Sequence, residues 1–197
     1  IRNRFFPVVN DAVYLNHAAI GPLPLFATLG YKKYLEKCTT LGEKHWEETF
    51  PIVENTRQQL STYLGCETDE IAFTRNVSEG LSIVSNGLNL QPGDEVVFAD
   101  IEFPANVYPW LNLKKKGIVP RYIKSDNGVV GPTQIEKAIN GSTRLVSLSS
   151  VQFFSGYRAD LKKIGRILQE KNILFCVDSV QHIGAFDLNL KQSGLDF

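Results

Sequence analysis

Residues 145–178, LVSLSSVQFFSGYRADLKKIGRILQEKNILFCVD, decide the fold. The stretch opens on a short apolar run, Leu145 to Ser149, and closes on another, Ile173 to Asp178, both of strand length. Between them, Leu161 to Lys171 is long enough and amphipathic enough for a crossover helix. Strand, helix and strand in that order make a parallel pair, and parallel strands are stable when helices cover both faces. The same alternation continues upstream. Ile71 to Thr74, Glu95 to Ala99 and Val119 to Ile123 are predicted strands, while Val77 to Leu88, Asn106 to Lys116 and Thr133 to Ile139 are predicted helices. The expected fold is α/β, a mainly parallel sheet sandwiched by helices, with ligands bound beyond the C-terminal ends of the strands. Residues 24–64 carry mixed three and four spacings of apolar residues, which predict two helices broken near Gly42. Turn signals at Pro92-Gly93-Asp94, Asp126-Asn127-Gly128 and Asn140-Gly141 punctuate the runs without marking a linker. Residues 1–197 therefore read as one domain, with no repeat and no low-complexity segment.

Composition narrows the partners. The chain of 197 residues is 43% hydrophobic and 21% charged, as ordinary globular proteins are. Twenty-one basic residues balance twenty-one acidic ones, so there is no electrostatic footprint for nucleic acid and no polybasic run for a membrane surface. No apolar stretch approaches the roughly 18 residues of a membrane span, and the N-terminus lacks the order of a signal peptide. Cys38, Cys66 and Cys176 are widely spaced, without a CxxC pair, which suggests a reducing cytosol. A cytoplasmic protein with a small polar metabolite as partner is expected. Methionine is absent, initiator included, which reads as a fragment. Loss of selenomethionines from the sequence would also explain it, and an intact mass compared with 22.1 kDa separates the two.

Three segments can carry chemistry. Phe73-Thr74-Arg75-Asn76-Val77-Ser78-Glu79-Gly80 follows a predicted strand and opens a helix, with Asn76 at the N-cap and Glu79 three residues on. Free helix N–H groups, the positive end of the helix dipole and the Ser78 hydroxyl suit a phosphate, although a capping box alone explains the same residues. Val177-Asp178-Ser179-Val180-Gln181-His182 ends a strand in a carboxylate at the ligand edge. That carboxylate calls for a cation, such as a pyridinium nitrogen, and Gln181 is spaced to donate to a phenolic oxygen; the plainer alternative is that Asp178 caps the next helix. His182 reads as structural. In Ile101-Glu102-Phe103-Pro104-Ala105-Asn106 an aromatic ring set by Pro104 can lie flat on a planar cofactor or simply pack in the core. Core packing is equally the ordinary explanation for Trp110, Phe153 and Phe154, and Trp110 reads as core. No GxGxxG, P-loop, HExxH or metal-ligand spacing is present.

Taken in order, these segments resemble the class V aminotransferase and cysteine desulfurase superfamily of pyridoxal-phosphate enzymes, fold type I. Tyr14-Leu15-Asn16-His17-Ala18-Ala19 with Gly21-Pro22 resembles its opening strand near the substrate entrance. The resemblance implies that Asn16, His17 and Ala18 face substrate. It also implies that Asn76, Val77 and Ser78 cup the phosphate, that Phe103 stacks on the ring, and that Asp178 and Gln181 meet the pyridinium and the phenolate. Val77 and Ser78 stand where many members have two hydroxyl residues, and only Ser78 keeps one. The implied substrate is an amino acid, the implied assembly a homodimer, and the implied chemistry the removal of a group from the substrate α-carbon into the pyridinium sink.

Departures from the family pattern bear on the reaction. Desulfurases usually place an acid–base histidine where Phe103 stands and an asparagine where Phe153 stands, and phenylalanine moves no protons. Kynureninases are similar in their Phe-Pro and paired aromatics, yet tend to carry an acid at Asn106 and a histidine at Gln181. Transamination, elimination, hydrolytic carbon–carbon cleavage and epimerisation all share these parts. The family's Schiff-base lysine follows the strand and turn after Gly194-Leu195-Asp196-Phe197, so it is expected beyond residue 197, together with a small C-terminal domain. Lys163, Lys171 and Lys191 read as solvated surface residues. On that reading these residues alone hold the cofactor weakly and do not catalyse. Two rivals from other classes stand beside it: a noncatalytic binding or assembly module that keeps the fold, and a flavodoxin-like nucleotide-binding domain using the same helix N-terminus.

Overall fold

In the computed structural model, which describes residues 2–197, contacts divide the chain into two units, one ending at Leu60 and the other running Ser61–Phe197. Each is described by itself. In the first, α1 (Arg2–Phe5) and a 3-10 turn (Pro7–Asn10) precede α2 (Leu25–Leu41). A 3-10 turn at Gly42–Lys44, where Gly42 takes φ 55°, separates α2 from α3 (His45–Leu64), the break expected near Gly42.

The second unit is built on four parallel strands: β1 (Glu95–Ala99), β2 (Val119–Ile123), β3 (Thr143–Ser149) and β4 (Leu174–Asp178), in the order β2-β1-β3-β4. Its helices are α4 (Val77–Gly87), α5 (Tyr108–Asn112), α6 (Pro132–Ala138), α7 (Leu161–Gln169) and α8 (Leu190–Ser193). Ile71 to Thr74, expected as a strand, is not one of the sheet's strands: it runs as irregular backbone, with Phe73 48% exposed.

Period-two alternation divides the strand residues between two cores. Val97, Ala99, Val146, Leu148 and Phe175 pack with Ile135 of α6 and Ile164 and Leu168 of α7. Val96, Phe98, Leu145 and Cys176 pack on the other face with Leu81 of α4 and Trp110 of α5. Full burial of side chains such as Phe98 and Phe175 contributes roughly 2–3 kcal/mol each. On α7, Leu161, Ile164 and Leu168 point inward while Lys162, Lys163 and Arg166 stay outside, and Asp160 caps the first turn by accepting the Lys163 N–H at 3.0 Å. The Asp126-Asn127-Gly128 signal is a tight antiparallel turn between Asp126 and Val129, with φ of 50° at Asn127 and 79° at Gly128.

Among the described residues, no helix is long and apolar enough to cross a membrane, and no three His, Cys, Asp or Glu side chains stand where they could hold a metal. The three cysteines are free, and burial pushes the Cys176 thiol up to about 12, which keeps it an apolar core group.

Candidate functional site

Because the strands are parallel, their C-terminal ends share one edge, and the segments leaving β1, β3 and β4 meet there. Asp178 ends β4 opposite Ser149. By alternation it lies on the face of Cys176, the face that packs with Trp110. Its Oδ1 accepts the Val180 N–H at 3.0 Å, and its main-chain carbonyl accepts the Ser150 N–H at 2.9 Å. The segment that follows is a turn closed by His182 and Ile183 N–H onto Ser179, so Asp178 does not cap a helix. Burial pushes the Asp178 carboxyl above the usual carboxylate range, and the Val180 N–H offsets this only in part. Among the described residues no cationic side chain forms an ion pair with it. A half-buried carboxylate with no cationic partner among the described residues fits a protonated ring nitrogen. Gln181 lies half-buried in the turn that follows.

Helix α4 begins as the sequence suggests, with one change of partner. Asn76 is the N-cap and accepts the Glu79 N–H at 2.9 Å. Glu79 reaches back to the Arg75 N–H at 2.7 Å and to the Arg75 guanidinium at 2.7 Å, which hold its carboxyl below the usual range. The N–H groups of Val77 and Ser78, at the first two helical positions, have no intrahelical acceptor, and the Ser78 side chain is exposed beside them.

Phe103 leaves β1 in extended conformation (φ −63°, ψ 145°) just before the 3-10 turn Pro104–Asn106. Its ring is 49% exposed and meets Phe153 edge-on, at 5.2 Å between centroids and 87° between planes. Phe153 is 42% exposed at this edge and Phe154 is 75% exposed, so neither is a core residue; the chain turns sharply between Gln152 and Tyr157. Trp110 is core, as expected. Ser78 and Phe103 line one open groove of about 690 Å³, with Tyr108 and Pro104. The edge thus gathers Asn76, Val77 and Ser78, Phe103 with Phe153, and Asp178 with Gln181. Asn16, His17 and Ala18 belong to the first unit. They form a turn in which the Ala19 and Ile20 N–H groups bond to Asn16 O and the Tyr14 hydroxyl donates to Ile20 O at 2.6 Å.

Glu102 is the residue that reading the sequence passed over. Only 7% exposed, its carboxylate accepts from the Ser149 N–H (2.8 Å), Gln152 Nε2 (2.7 Å), Ser149 Oγ (2.5 Å) and Asn106 Nδ2 (3.1 Å). The signal for it was faint: serines at alternate positions of a buried strand, and an acid between two apolar residues where that strand's neighbour ends. Lys163 and Lys171 are exposed, and Lys191 pairs with Glu67 at 2.8 Å. His182 is 2% exposed, with Nδ1 unpartnered and Nε2 3.3 Å from the Asp187 carbonyl oxygen. Burial and, to a lesser degree, the Arg158 charge hold its pKa below the ordinary imidazole value, while the Asp187 carbonyl opposes them. The unfolded chain therefore takes up a proton first as pH falls. His182 contributes stability that is complete above about 6.5 and is lost as pH drops below it. Denaturation curves from pH 7.5 to 5 should show that loss in the wild type and a flatter profile in His182→Asn.

A family model described as Aminotransferase class-V matches residues 13–197. The chain is 34% identical over 98% of its length to a probable cysteine desulfurase of Methanothermobacter thermautotrophicus, covering 50% of that protein, and 31% identical over 98% to the uncharacterized aminotransferase YcbU of Bacillus subtilis, covering 51%. It spans about half the length of the curated relatives it matches. Among solved structures, a K223A mutant of C-DES with glycine linked to its PLP cofactor superposes with a TM-score of 0.91 at 22% identity, covering all of this chain and 54% of that one. The Escherichia coli cysteine desulfurase CsdA gives 0.86 at 21%, over 100% and 52%. At these identities the structural likeness shows the fold, and the sequence match over residues 13–197 shows the lineage: the chain belongs to the class V aminotransferase family.

Proposed function

We propose that the chain is the cofactor-binding large domain of a pyridoxal-phosphate enzyme acting on an amino acid, and that the sheet edge is its cofactor site. The observation that carries this reading is the Asp178 carboxylate, half-buried at the end of β4, where burial raises its pKa and the Val180 N–H opposes the rise. A protonated ring nitrogen beside it would remove that penalty. When bound, the cofactor supplies an electron sink for a carbanion at the substrate α-carbon.

The remaining work falls to the chain's own groups. Asp178, ionised, keeps a proton on the ring nitrogen. Val77 and Ser78 N–H groups and the Ser78 hydroxyl bind the phosphate at the start of α4, where the helix dipole favours negative charge. Phe103 would cover the cofactor ring and, with Phe153, would keep water from it. Gln181 would donate toward the phenolic oxygen. Phe103 carries no ionisable atom, so a proton at the substrate must be moved by another group. In this reading the lysine that anchors the cofactor, and a small C-terminal domain, lie beyond residue 197, and the active unit is a cytoplasmic homodimer.

Ser78→Ala in the full-length protein tests the phosphate site. Loss of one hydroxyl donor to a dianion should weaken pyridoxal phosphate binding by about tenfold, followed by absorbance titration. The apo melting temperature should not change, because Ser78 is exposed. A wild type that binds no pyridoxal phosphate overturns the reading.

A further inference from the structure

Building on that cofactor site, we infer that Glu102 is a positioning residue: its carboxylate holds the Phe103–Phe153 ring pair in place by anchoring the residue that precedes each ring. A carboxylate this deeply buried with no cation is costly to a fold. Four donors converge on Glu102, two on each oxygen: Ser149 N–H and Gln152 Nε2 on Oε1, and Ser149 Oγ and Asn106 Nδ2 on Oε2. Burial raises its pKa and these four bonds oppose the rise. The Asn106 orientation is set independently. Trp110 Nε1, which can only donate, and Ser147 Oγ both bond to Asn106 Oδ1, at 3.0 and 2.6 Å, so Nδ2 must face Glu102.

The network joins the two segments that carry the rings. Glu102 immediately precedes Phe103, and Gln152 immediately precedes Phe153. The Gln152 Nε2 to Glu102 Oε1 bond therefore ties one ring's backbone to the other's. Behind Phe103, the Asn106 N–H closes onto the Phe103 carbonyl at 2.8 Å, so the residue is clamped on both sides. The rings themselves are about half exposed and touch edge-on. Rings so exposed take their place from the backbone beneath them rather than from core packing. A staple meant only for stability would not need to converge on these two positions.

Two variants of the full-length protein test this. In Glu102→Gln the amide has one acceptor oxygen facing four donors. Gln152→Met removes the tie between the two segments and should still fold, because three donors remain on the Glu102 carboxylate. Fluorine NMR of protein containing 4-fluorophenylalanine, with the two resonances assigned by Phe103→Leu and Phe153→Leu, reads ring placement without cofactor. Pyridoxal phosphate titration reads its consequence. Both variants should shift or broaden the two resonances together and weaken binding by roughly tenfold for Glu102→Gln. In the Phe103→Leu background neither should weaken binding further, since the ring they position is gone. Unmoved resonances in folded Gln152→Met, or an undiminished effect in the Phe103→Leu background, overturn the inference. Resonances that move in a wild-type framework unable to bind pyridoxal phosphate would uphold the positioning role and defeat the cofactor reading.

Discussion

Asp178→Asn in the full-length protein is expected to weaken pyridoxal phosphate binding by about a hundredfold while leaving the apo fold as stable as before or more so, by on the order of 1 kcal/mol. The two effects have opposite signs because the carboxylate is costly without a cation and rewarded with one. Burial raises its pKa, so the folded apo protein holds this proton more tightly than the unfolded chain. Apo stability therefore falls as pH rises through the carboxylate range, and the penalty persists at neutral pH. Asparagine keeps an oxygen for the Val180 N–H and carries no charge to desolvate. Cofactor affinity should follow the reverse course, strengthening as Asp178 ionises and levelling off above that range. Thermal unfolding of both apo proteins, paired with cofactor titration from pH 4.5 to 8, checks both signs. A variant less stable than wild type by more than about 2 kcal/mol would mean that Asp178 is a structural cap.

Gly165→Ala should destabilise the protein by about 3 kcal/mol, although a mid-helix glycine replaced by alanine would ordinarily gain roughly 1 kcal/mol. A Cβ at position 165 would lie 2.2 Å from the Ser193 carbonyl oxygen and 3.0 Å from the Gly194 Cα. Both are backbone, so neither can rotate aside. Helix α8 would have to lift from α7, and it carries the chain into the segment whose Asp196 caps the start of β4 by accepting the Phe175 N–H at 2.8 Å. Chemical denaturation of the full-length variant measures the loss; an unchanged or raised midpoint would refute the close approach of α8.

The elements that could be read from sequence are those whose signal is local. The run Val96-Val97-Phe98-Ala99 is β-branched, aromatic and buried on both faces, and it could be little else than an inner parallel strand. Leu161, Ile164 and Leu168 at helical spacing gave α7. Ile71 to Thr74 has strand-like residues, but a strand exists only beside a partner, and composition does not say which backbone lies alongside. The candidate site divided in the same way. Asp178 and the start of α4 were legible because each stands at the end of its own element. Glu102 was not, because its meaning lies in Ser149 and Gln152, some fifty residues away, and in a tryptophan that fixes which way an asparagine points. Gly165 was not legible either, because the need for glycine there comes from the backbone of Ser193 and Gly194 laid across α7.

The most direct test of the central claim is the visible absorption spectrum of the full-length protein with pyridoxal phosphate, before and after borohydride, followed by peptide mapping of any reduced adduct. A visible band that disappears on reduction, with the label on a lysine beyond Phe197, is the expected result. A full-length protein that shows no band and takes up no label with added pyridoxal phosphate would contradict it.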